Sequence, residues 1–199
     1  MKKKKTVSKK LLFILFSIFT IFVAVFCVVW LSPKGSDGEM EGAPLTPIVF
    51  PYASWSDHYF SLEEIIEKAD AVLIGKVIGS EKEQRVDMIF TLQRIEPVIV
   101  YRGELKSGEF IRVLQTGGEF NGISTPAFEE APLLKNDEIC LFFLRYTEEG
   151  HHLVMGGYQG LGKIENDKVK FSIEEDEIAK ALSGRNLNEI EEMLTELTK

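Results

Sequence analysis

The segment Leu11–Leu31 constrains this chain of 199 residues more than any other feature. Its 21 residues carry no charge, and only Ser17 and Thr20 bear a hydroxyl group. A helix of this length spans about 31 Å, which matches the hydrocarbon core of a bilayer. The sequence therefore predicts a transmembrane anchor, through which the protein contacts membrane lipid.

Charge is distributed unevenly about this anchor. Six lysines lie in residues 1–10, which we expect to form a basic cytoplasmic tail under the positive-inside rule. The remaining chain holds 17 of the 23 basic residues and all 31 acidic residues, so its formal charge is 17 minus 31, or −14. We expect a single-pass protein of the cell membrane with an extracytoplasmic body. Because an acidic body repels phosphates, a nucleic-acid partner is not expected.

Two alternatives to a retained anchor remain open, a cleaved signal peptide and a lipidated N-terminus. The apolar run is longer than the roughly 7–15 residues of a signal-peptide core, and no pair of small residues closes it. Lipidation would use Cys27, but the bulky residues Val25 and Phe26 precede it where small residues are expected. Trp30 at the outer edge is typical of a membrane interface, which favours a retained anchor.

The two cysteines indicate a body without disulfides. Cys27 lies inside the apolar segment, whereas Cys140 lies in an apolar run of the body. A disulfide requires α-carbons within about 7 Å, so the two cannot pair if the segment spans the membrane. Such domains are common in Gram-positive bacteria and uncommon among animal secreted domains of this size.

Composition divides the rest of the chain into three parts. Residues 32–51 are rich in Gly and Pro and predict a linker. Residues 52–173 predict the folded domain, and residues 174–199 predict two helices packed on it. Capping boxes predict where the helices begin, namely Ser61 with Glu64 for a first short helix, and Ser172 with Glu175 and Asn186 with Glu189 for the C-terminal pair.

About six or seven strands with short turns are predicted between these helices. Residues of the most apolar strand, Glu138–Tyr146, alternate between two directions, and both faces must be covered. Pro97 interrupts the strand Val86–Arg102, as expected where a strand bends to close a barrel. The pattern indicates a mainly β fold with flanking helices, built on a small antiparallel OB-like β-barrel. The other predicted strands are Ala71–Gly79, Glu109–Thr116, His152–Tyr158, Leu161–Glu165 and Lys168–Ile173, with Glu81–Arg85 as a connection.

The run Ala69–Val77 resembles the first barrel strand of netrin-like domains, OB-type barrels that include the tissue inhibitors of metalloproteinases. The resemblance continues through Phe90–Gly103, which ends in a Tyr-Arg-Gly turn, and Ile111–Val113. Over about residues 60–172 the chain also resembles a set of uncharacterised Gram-positive membrane-anchored surface proteins. Their pattern of an opening helix, a Gly-Lys-Val strand, a Gly-Gly loop, an apolar strand and a Gly-Gly-x-Gln-Gly turn is found here at Leu62–Glu64, Ala69–Val77, Gly117-Gly118, Cys140–Leu144 and Gly156–Gly160.

The resemblance implies a fold rather than an activity, because its motifs are core and turn motifs. Tissue inhibitors of metalloproteinases begin with a cysteine whose amine and carbonyl chelate the zinc of the target. This chain has no such cysteine at the start of its domain, which is predicted to be tethered to a membrane. Inhibition by that mechanism is therefore not implied.

Two loops are the candidate binding segments. The first is the glycine-rich loop 117–132, since long loops on small barrels often bind. It is not a phosphate-binding loop, because no lysine follows at the required place. The second is the pair Tyr158-Gln159, which is flanked by glycines. The competing interpretation is a plain loop for the first segment and a backbone bulge for the second. The candidate residues are Gly117, Gly118, Glu119, Phe120, Tyr158 and Gln159.

No residues combine into a recognisable catalytic or metal site. Cys140 with His151 and His152 would suggest a thiol nucleophile and base, but apolar neighbours raise a thiol pKa and make it inert. His58, His151 and His152 lack the spacing of a zinc site. Nothing selects a carboxylate pair for glycoside hydrolysis among the 31 acidic residues. No catalytic residue, metal site or cofactor is predicted.

The predicted membrane anchor and the predicted barrel together favour a membrane-tethered extracytoplasmic binding module. Its partner would be a protein or a cell-wall component. An envelope enzyme or enzyme inhibitor is one alternative, and an envelope or sporulation scaffold protein is another.

The retained anchor makes a direct prediction about topology. Protease added outside intact cells should remove the body and leave a membrane-bound fragment that contains Leu11–Leu31. Immunoblotting with tags at both ends measures this. A body that is protected from the protease, or that is found free in the medium, contradicts the anchor.

Overall fold

A computed structural model describes residues 57–105 and 108–199 of the protein. The predicted tail, anchor and linker, and residues 52–56 of the predicted domain, lie outside the described residues. Within the described ranges, no helix has both the length and the apolar character needed to cross a membrane.

The described residues form three helices and nine strands, and the fold is mainly β. The helices are α1 (Leu62–Lys68), α2 (Glu177–Leu182) and α3 (Leu187–Leu197). The strands are β1 (Ala71–Arg85), β2 (Met88–Arg102), β3 (Ile111–Thr116), β4 (Gly118–Phe120), β5 (Ile123–Thr125), β6 (Ile139–Tyr146), β7 (His152–Val154), β8 (Leu161–Glu165) and β9 (Lys168–Lys170).

Five strands close into a barrel. Their order is β1-β2-β3-β7-β6, and β1 completes the circle because it pairs with both β2 and β6. These pairings are antiparallel except that of β3 with β7, which is parallel. The predicted mainly β barrel with flanking helices is therefore confirmed, although its closure needs one parallel pair. β8 and β9 extend the sheet beyond β6, and β4 pairs with β5 alone.

The hairpin of β1 and β2 is longer than predicted. Glu81–Arg85, predicted to connect two strands, belong to β1 and pair with β2. The turn is formed by Val86 and Asp87, and Val86 takes the left-handed conformation with φ of 56°. The charged run failed to mark a loop because this end of the hairpin is partly exposed, where charged side chains fit a strand as well as a turn.

The predicted break at Pro97 is confirmed as a bulge. Ile74 pairs with Ile99 and Gly75 with Pro97, so Val98 has no opposite residue on β1. An extra residue of this kind bends the strand that carries it and increases its twist, which helps a short sheet to close.

Strand β6 separates two apolar cores. Cys140, Phe142 and Leu144 point into the barrel, where they pack with residues of β1, β2 and β3. Leu141 and Phe143 point to the other side and pack with the helices. The predicted alternation is confirmed, and all five side chains are fully buried.

The segment 117–134 is attached to β2 and β3 of the barrel. Part of the predicted plain loop is the hairpin of β4 and β5, whose turn residues Asn121 and Gly122 have φ of 50° and 78°. Positive φ at both positions is typical of a two-residue hairpin turn. The hairpin is attached to β2 by the Thr125 hydroxyl, which accepts the Ile89 N–H at 2.8 Å, and by the Thr91 hydroxyl, which donates to the Gly117 carbonyl at 2.7 Å.

A six-residue excursion, residues 155–160, separates β7 from β8. Leu144 pairs with Val154 and Phe142 with Leu161, so the whole excursion stands opposite Phe143. The strand predicted over His152–Tyr158 therefore ends at Val154. Consecutive left-handed glycines, Gly156 and Gly157 with φ of 55° and 60°, turn the chain out of the sheet.

Two of the three predicted helix caps are confirmed. The Ser61 hydroxyl accepts the Glu64 N–H at the start of α1, and Asn186 with Glu189 form a capping box at the start of α3. The cap predicted at Ser172 is wrong, because α2 begins after Asp176, whose carboxylate accepts the Ile178 N–H. Sequence spacing alone does not show which of two capping residues, Ser172 or Asp176, begins the helix.

The close packing of the excursion predicts that Gly160 tolerates no side chain. A β-carbon there would lie 2.5 Å from the Met155 carbonyl oxygen and 2.9 Å from that of Phe143. We expect Gly160→Ala to lower the free energy of unfolding by about 3 kcal/mol, because neither backbone oxygen can move freely. Gly122→Asn, in an open turn, is the matched control and should change it by less than about 0.5 kcal/mol. Urea unfolding measures both, and equal midpoints would contradict the packing.

Candidate functional site

A pocket of about 220 Å³ opens where β3 and β7 separate, and we call it the seam pocket. The parallel pairing of these strands covers only two residue pairs, the second being Leu114 with Leu153. Beyond it β3 continues to Thr116, while β7 gives way to the excursion. The barrel wall therefore has a gap at this point.

Both candidate loops of the sequence contribute to the seam pocket. Phe128 and Ala131 come from the loop 117–132, and Gly156 and Gly157 come from the excursion. The loops are distant in sequence, and the barrel brings them together. The individual candidate residues lie elsewhere in the two loops.

The lining of the seam pocket is largely apolar with a polar rim. Leu114 and Leu153 reach it from the outer face of the sheet, while Val154 and Leu161 belong to the packing of the barrel interior. The pocket thus leads from the outer surface toward the barrel core. Most small-ligand sites share this combination of apolar walls and a few polar groups. The remaining lining residues are Asp57, Gln115, Thr116, Phe128, Ala131, Arg145, Met155, Gly156 and Gly157.

A charged pair holds the rim in place. Arg145 Nη1 lies 2.8 Å from Asp57 Oδ2, and Arg145 Nη2 donates to the Tyr59 hydroxyl at 3.0 Å. Burial raises the pKa of Tyr59 above its usual range, so this hydroxyl stays protonated at neutral pH. The guanidinium is thereby fixed at the mouth of the seam pocket with one negative charge beside it.

Gln115 lines the inner wall of the seam pocket, and a second buried glutamine, Gln93, supports it. Gln93 Nε2 donates to Gln115 Oε1 at 3.0 Å and to the Leu134 carbonyl at 3.1 Å. Gln115 Oε1 also accepts the Leu134 N–H at 3.0 Å, and its Nε2 donates to the Pro132 carbonyl at 3.2 Å. These bonds attach the end of the loop 117–132 to the barrel and keep Gln115 rigid where it lines the pocket.

The candidate residue Gln159 links distant parts of the fold. Its amide accepts the Tyr59 N–H at 2.9 Å, donates to the Tyr59 carbonyl at 2.8 Å and donates to Asp176 Oδ2 at 2.8 Å. The side chain is buried, and both of its N–H groups are used. A structural role explains this residue, since no donor remains for a ligand.

The neighbouring candidate Tyr158 is partly exposed and lies beside the same carboxylate. Burial, the charge of Asp176 and a hydrogen bond to it raise the pKa of the Tyr158 hydroxyl. The phenol therefore stays neutral at physiological pH and serves as a donor to Asp176. Its ring remains available at the surface of the excursion.

Three candidates, Gly118, Glu119 and Phe120, form β4, and Gly117 directly precedes this strand. None of the four lines the seam pocket. The two glycines are required by packing: a β-carbon at Gly117 would lie 2.9 Å from the Ala127 backbone, and one at Gly118 would lie 3.0 Å from the Thr91 hydroxyl. Glu119 and Phe120 are exposed at the tip, so a binding role for the tip stays a prediction.

The cysteine and histidines do not form a catalytic arrangement among the described residues. Burial raises the pKa of the Cys140 thiol to about 12, and its side chain lies inside the barrel core. Burial lowers the pKa of His152, whose Nδ1 has no hydrogen-bond partner, and His151 lies 3.8 Å from Glu149. In the part of the chain that the structure describes, no three His, Cys, Asp or Glu side chains are grouped to hold a metal ion.

Comparison with known proteins adds no relative. No family model matches the sequence, and no curated protein matches it.

The residues that shape the seam pocket were missed by sequence reasoning. Arg145 follows the apolar run of β6 directly, and that position was a first signal, because it puts a charge beside the core. Phe128, an aromatic residue in a predicted loop, was a second signal. Leu114 and Leu153 gave none, because only the register of two strands distant in sequence places them side by side.

The buried thiol predicts slow alkylation of the native protein. With a pKa of about 12, Cys140 is almost entirely protonated at pH 8, whereas a free cysteine is partly ionised. We expect iodoacetamide to react with native Cys140 at least roughly a thousandfold more slowly than with free cysteine, judged by the loss of thiolate alone. Mass spectrometry of the peptide containing Cys140 measures the rate, and the same chain in urea is the control. A native rate above that of free cysteine would instead favour an enzyme.

Proposed function

We propose that the protein is a membrane-tethered extracytoplasmic binding module whose ligand occupies the seam pocket. The observation that carries this proposal is the convergence of the loop 117–132 and the excursion 155–160 on one cavity. Internal hydrogen bonds hold both walls in place, so the cavity is preformed. Preformed walls reduce the entropy lost when a ligand binds.

The barrel is of the OB type in this proposal, as in netrin-like domains. Its five strands and the pairing of a long, bulged β1 with both β2 and β6 support this. OB barrels bind ligands on the face of their second and third strands and on the adjoining loops. The seam pocket borders β3, which fits that location.

The tether places this site near a membrane. The apolar segment Leu11–Leu31 and the charge difference on its two sides support a cytoplasmic N-terminus and an extracytoplasmic body. Asp57, on the pocket rim, follows Leu31 by 26 residues, which can span at most about 90 Å. A ligand on a nearby protein or cell-wall component is therefore within reach.

Site-specific photocrosslinking in living cells tests the seam pocket directly. A photoreactive phenylalanine analogue replaces Phe128 in the pocket, Phe120 at the hairpin tip or Phe60, which is 73% exposed. We expect one discrete adduct, identified by mass, from position 128 alone. The three positions carry the same residue type, so differences in yield report location rather than chemistry.

A pocket-filling substitution completes this test. Ala131→Trp places an indole in the seam pocket and should abolish the adduct at position 128 while the protein stays folded. Capture at position 120 in place of 128 would assign binding to the hairpin tip. Equal yields at positions 128 and 60, or an adduct that survives Ala131→Trp in the folded protein, would contradict the proposal.

A further inference from the structure

Two arginines occupy opposite register positions on the outside of the barrel. Arg94 on β2 pairs directly with Arg112 on β3. Their neighbours Ile95, Ile111 and Val113 point into the barrel core, so both arginines point outward. Like charges directly opposite on neighbouring strands repel each other and destabilise a sheet. The arginine pair is therefore expected to lower the stability of the sheet that carries it.

Neither arginine of this pair forms a salt bridge within the described residues, although Arg85 and Arg145 on the same barrel are both paired with acidic residues. Glu96, two residues further along the same face of β2, lies near Lys76, and its charge helps to raise the pKa of that lysine. Arg112 makes one long hydrogen bond, 3.4 Å from Nη2 to the Gly150 carbonyl.

Phe110 contacts the Arg94 side chain, and one hydrogen-bond donor of that side chain has no acceptor. Its guanidinium carbon lies 4.4 Å from the centroid of the Phe110 ring, which is 46% exposed. Its Nε is buried and has no acceptor. The residue opposite on β1 is Gly79, which has no side chain to fill the space beside the arginine. A buried donor without a partner costs free energy, so this position of the guanidinium is not explained by a hydrogen bond within the described residues.

We propose that Arg94, Arg112 and Phe110 form a binding site for a single phosphate group. Two guanidinium groups supply paired donors and two positive charges, which match the geometry and charge of phosphate. The ring of Phe110 lies against one guanidinium and holds it by a cation–π contact. Bound phosphate would screen the repulsion between the arginines and give the pair the negative charge that the fold does not provide.

The overall charge limits what carries the phosphate. The chain beyond the apolar segment has a formal charge of −14, so its long-range field repels a polyanion such as nucleic acid. A single phosphate group held at short range by two arginines avoids most of that repulsion. The site differs from the seam pocket in chemistry and residues, and it does not depend on the pocket being occupied.

Thermal unfolding of the full chain in an uncharged detergent tests the repulsion. At low ionic strength without phosphate, Arg112→Gln should raise the unfolding temperature by about 1–3 °C, and Arg112→Glu should raise it at least as much. Arg102→Gln is the matched control, since Arg102 is an exposed arginine on the same strand as Arg94. A lower temperature for both Arg112 variants would show that the pair is structural and overturn the proposal.

Binding is tested on the same proteins with two phosphate probes at matched ionic strength. Inorganic phosphate represents free phosphate or a monoester, and dimethyl phosphate represents the diester of a lipid headgroup or a polymer. We expect at least one probe to bind by isothermal titration calorimetry, and Arg94→Gln and Arg112→Gln each to weaken it at least tenfold, with Arg102→Gln unchanged. The probe that binds identifies the source. Binding of neither probe, or equal binding by all variants, overturns the site.

Discussion

The pairing of β6 on both of its edges is the constraint on which the rest of this structure depends. One edge pairs with β1 and closes the barrel, and the other pairs with β7 and then with β8. Its five central side chains, residues 140–144, are buried alternately in the barrel core and beneath the helices. Burying five such side chains contributes on the order of 10 kcal/mol, which is comparable with the whole stability of a domain.

The seam pocket follows from this pairing. Because β7 and β8 share one edge of β6, the chain between them must leave the sheet, and the gap beside β3 opens where it leaves. The excursion is not left loose, since Gln159 ties it to Tyr59 and to the start of α2. Tyr59 also contacts Arg145 at the pocket rim. The rim, the segment before α1 and the start of α2 are therefore held by one connected set of hydrogen bonds, which restrains the pocket on that side.

Local sequence patterns predicted the core of this fold, whereas the seam pocket depends on the pairing of strands that are distant in sequence. Alternation along β6, the bulge at Pro97 and the caps at Ser61 and Asn186 are readable because each depends on neighbours within a few residues. The end of β7 at Val154 and the hairpin in the loop 117–132 depend on strands far away in sequence, and so does the meeting of Leu114 with Leu153. The sequence indicated both loops of the seam pocket but not the residues in them that line it, such as Phe128 and Gly157.

The two proposed sites lie on the same face of the sheet, but they differ in whether a carboxylate neutralises their arginines. Arg145 at the seam pocket is neutralised by Asp57, so the mouth of that pocket presents a pair with little net charge above apolar walls. Two residues before Leu114 on the same face, Arg112 faces Arg94 with no counterion among the described residues. Carboxylates are abundant in this chain, so a neutralising partner would have been a simple substitution on the neighbouring strand. A repulsive pair that persists in an acidic body is best explained by a negative charge that arrives from outside the chain.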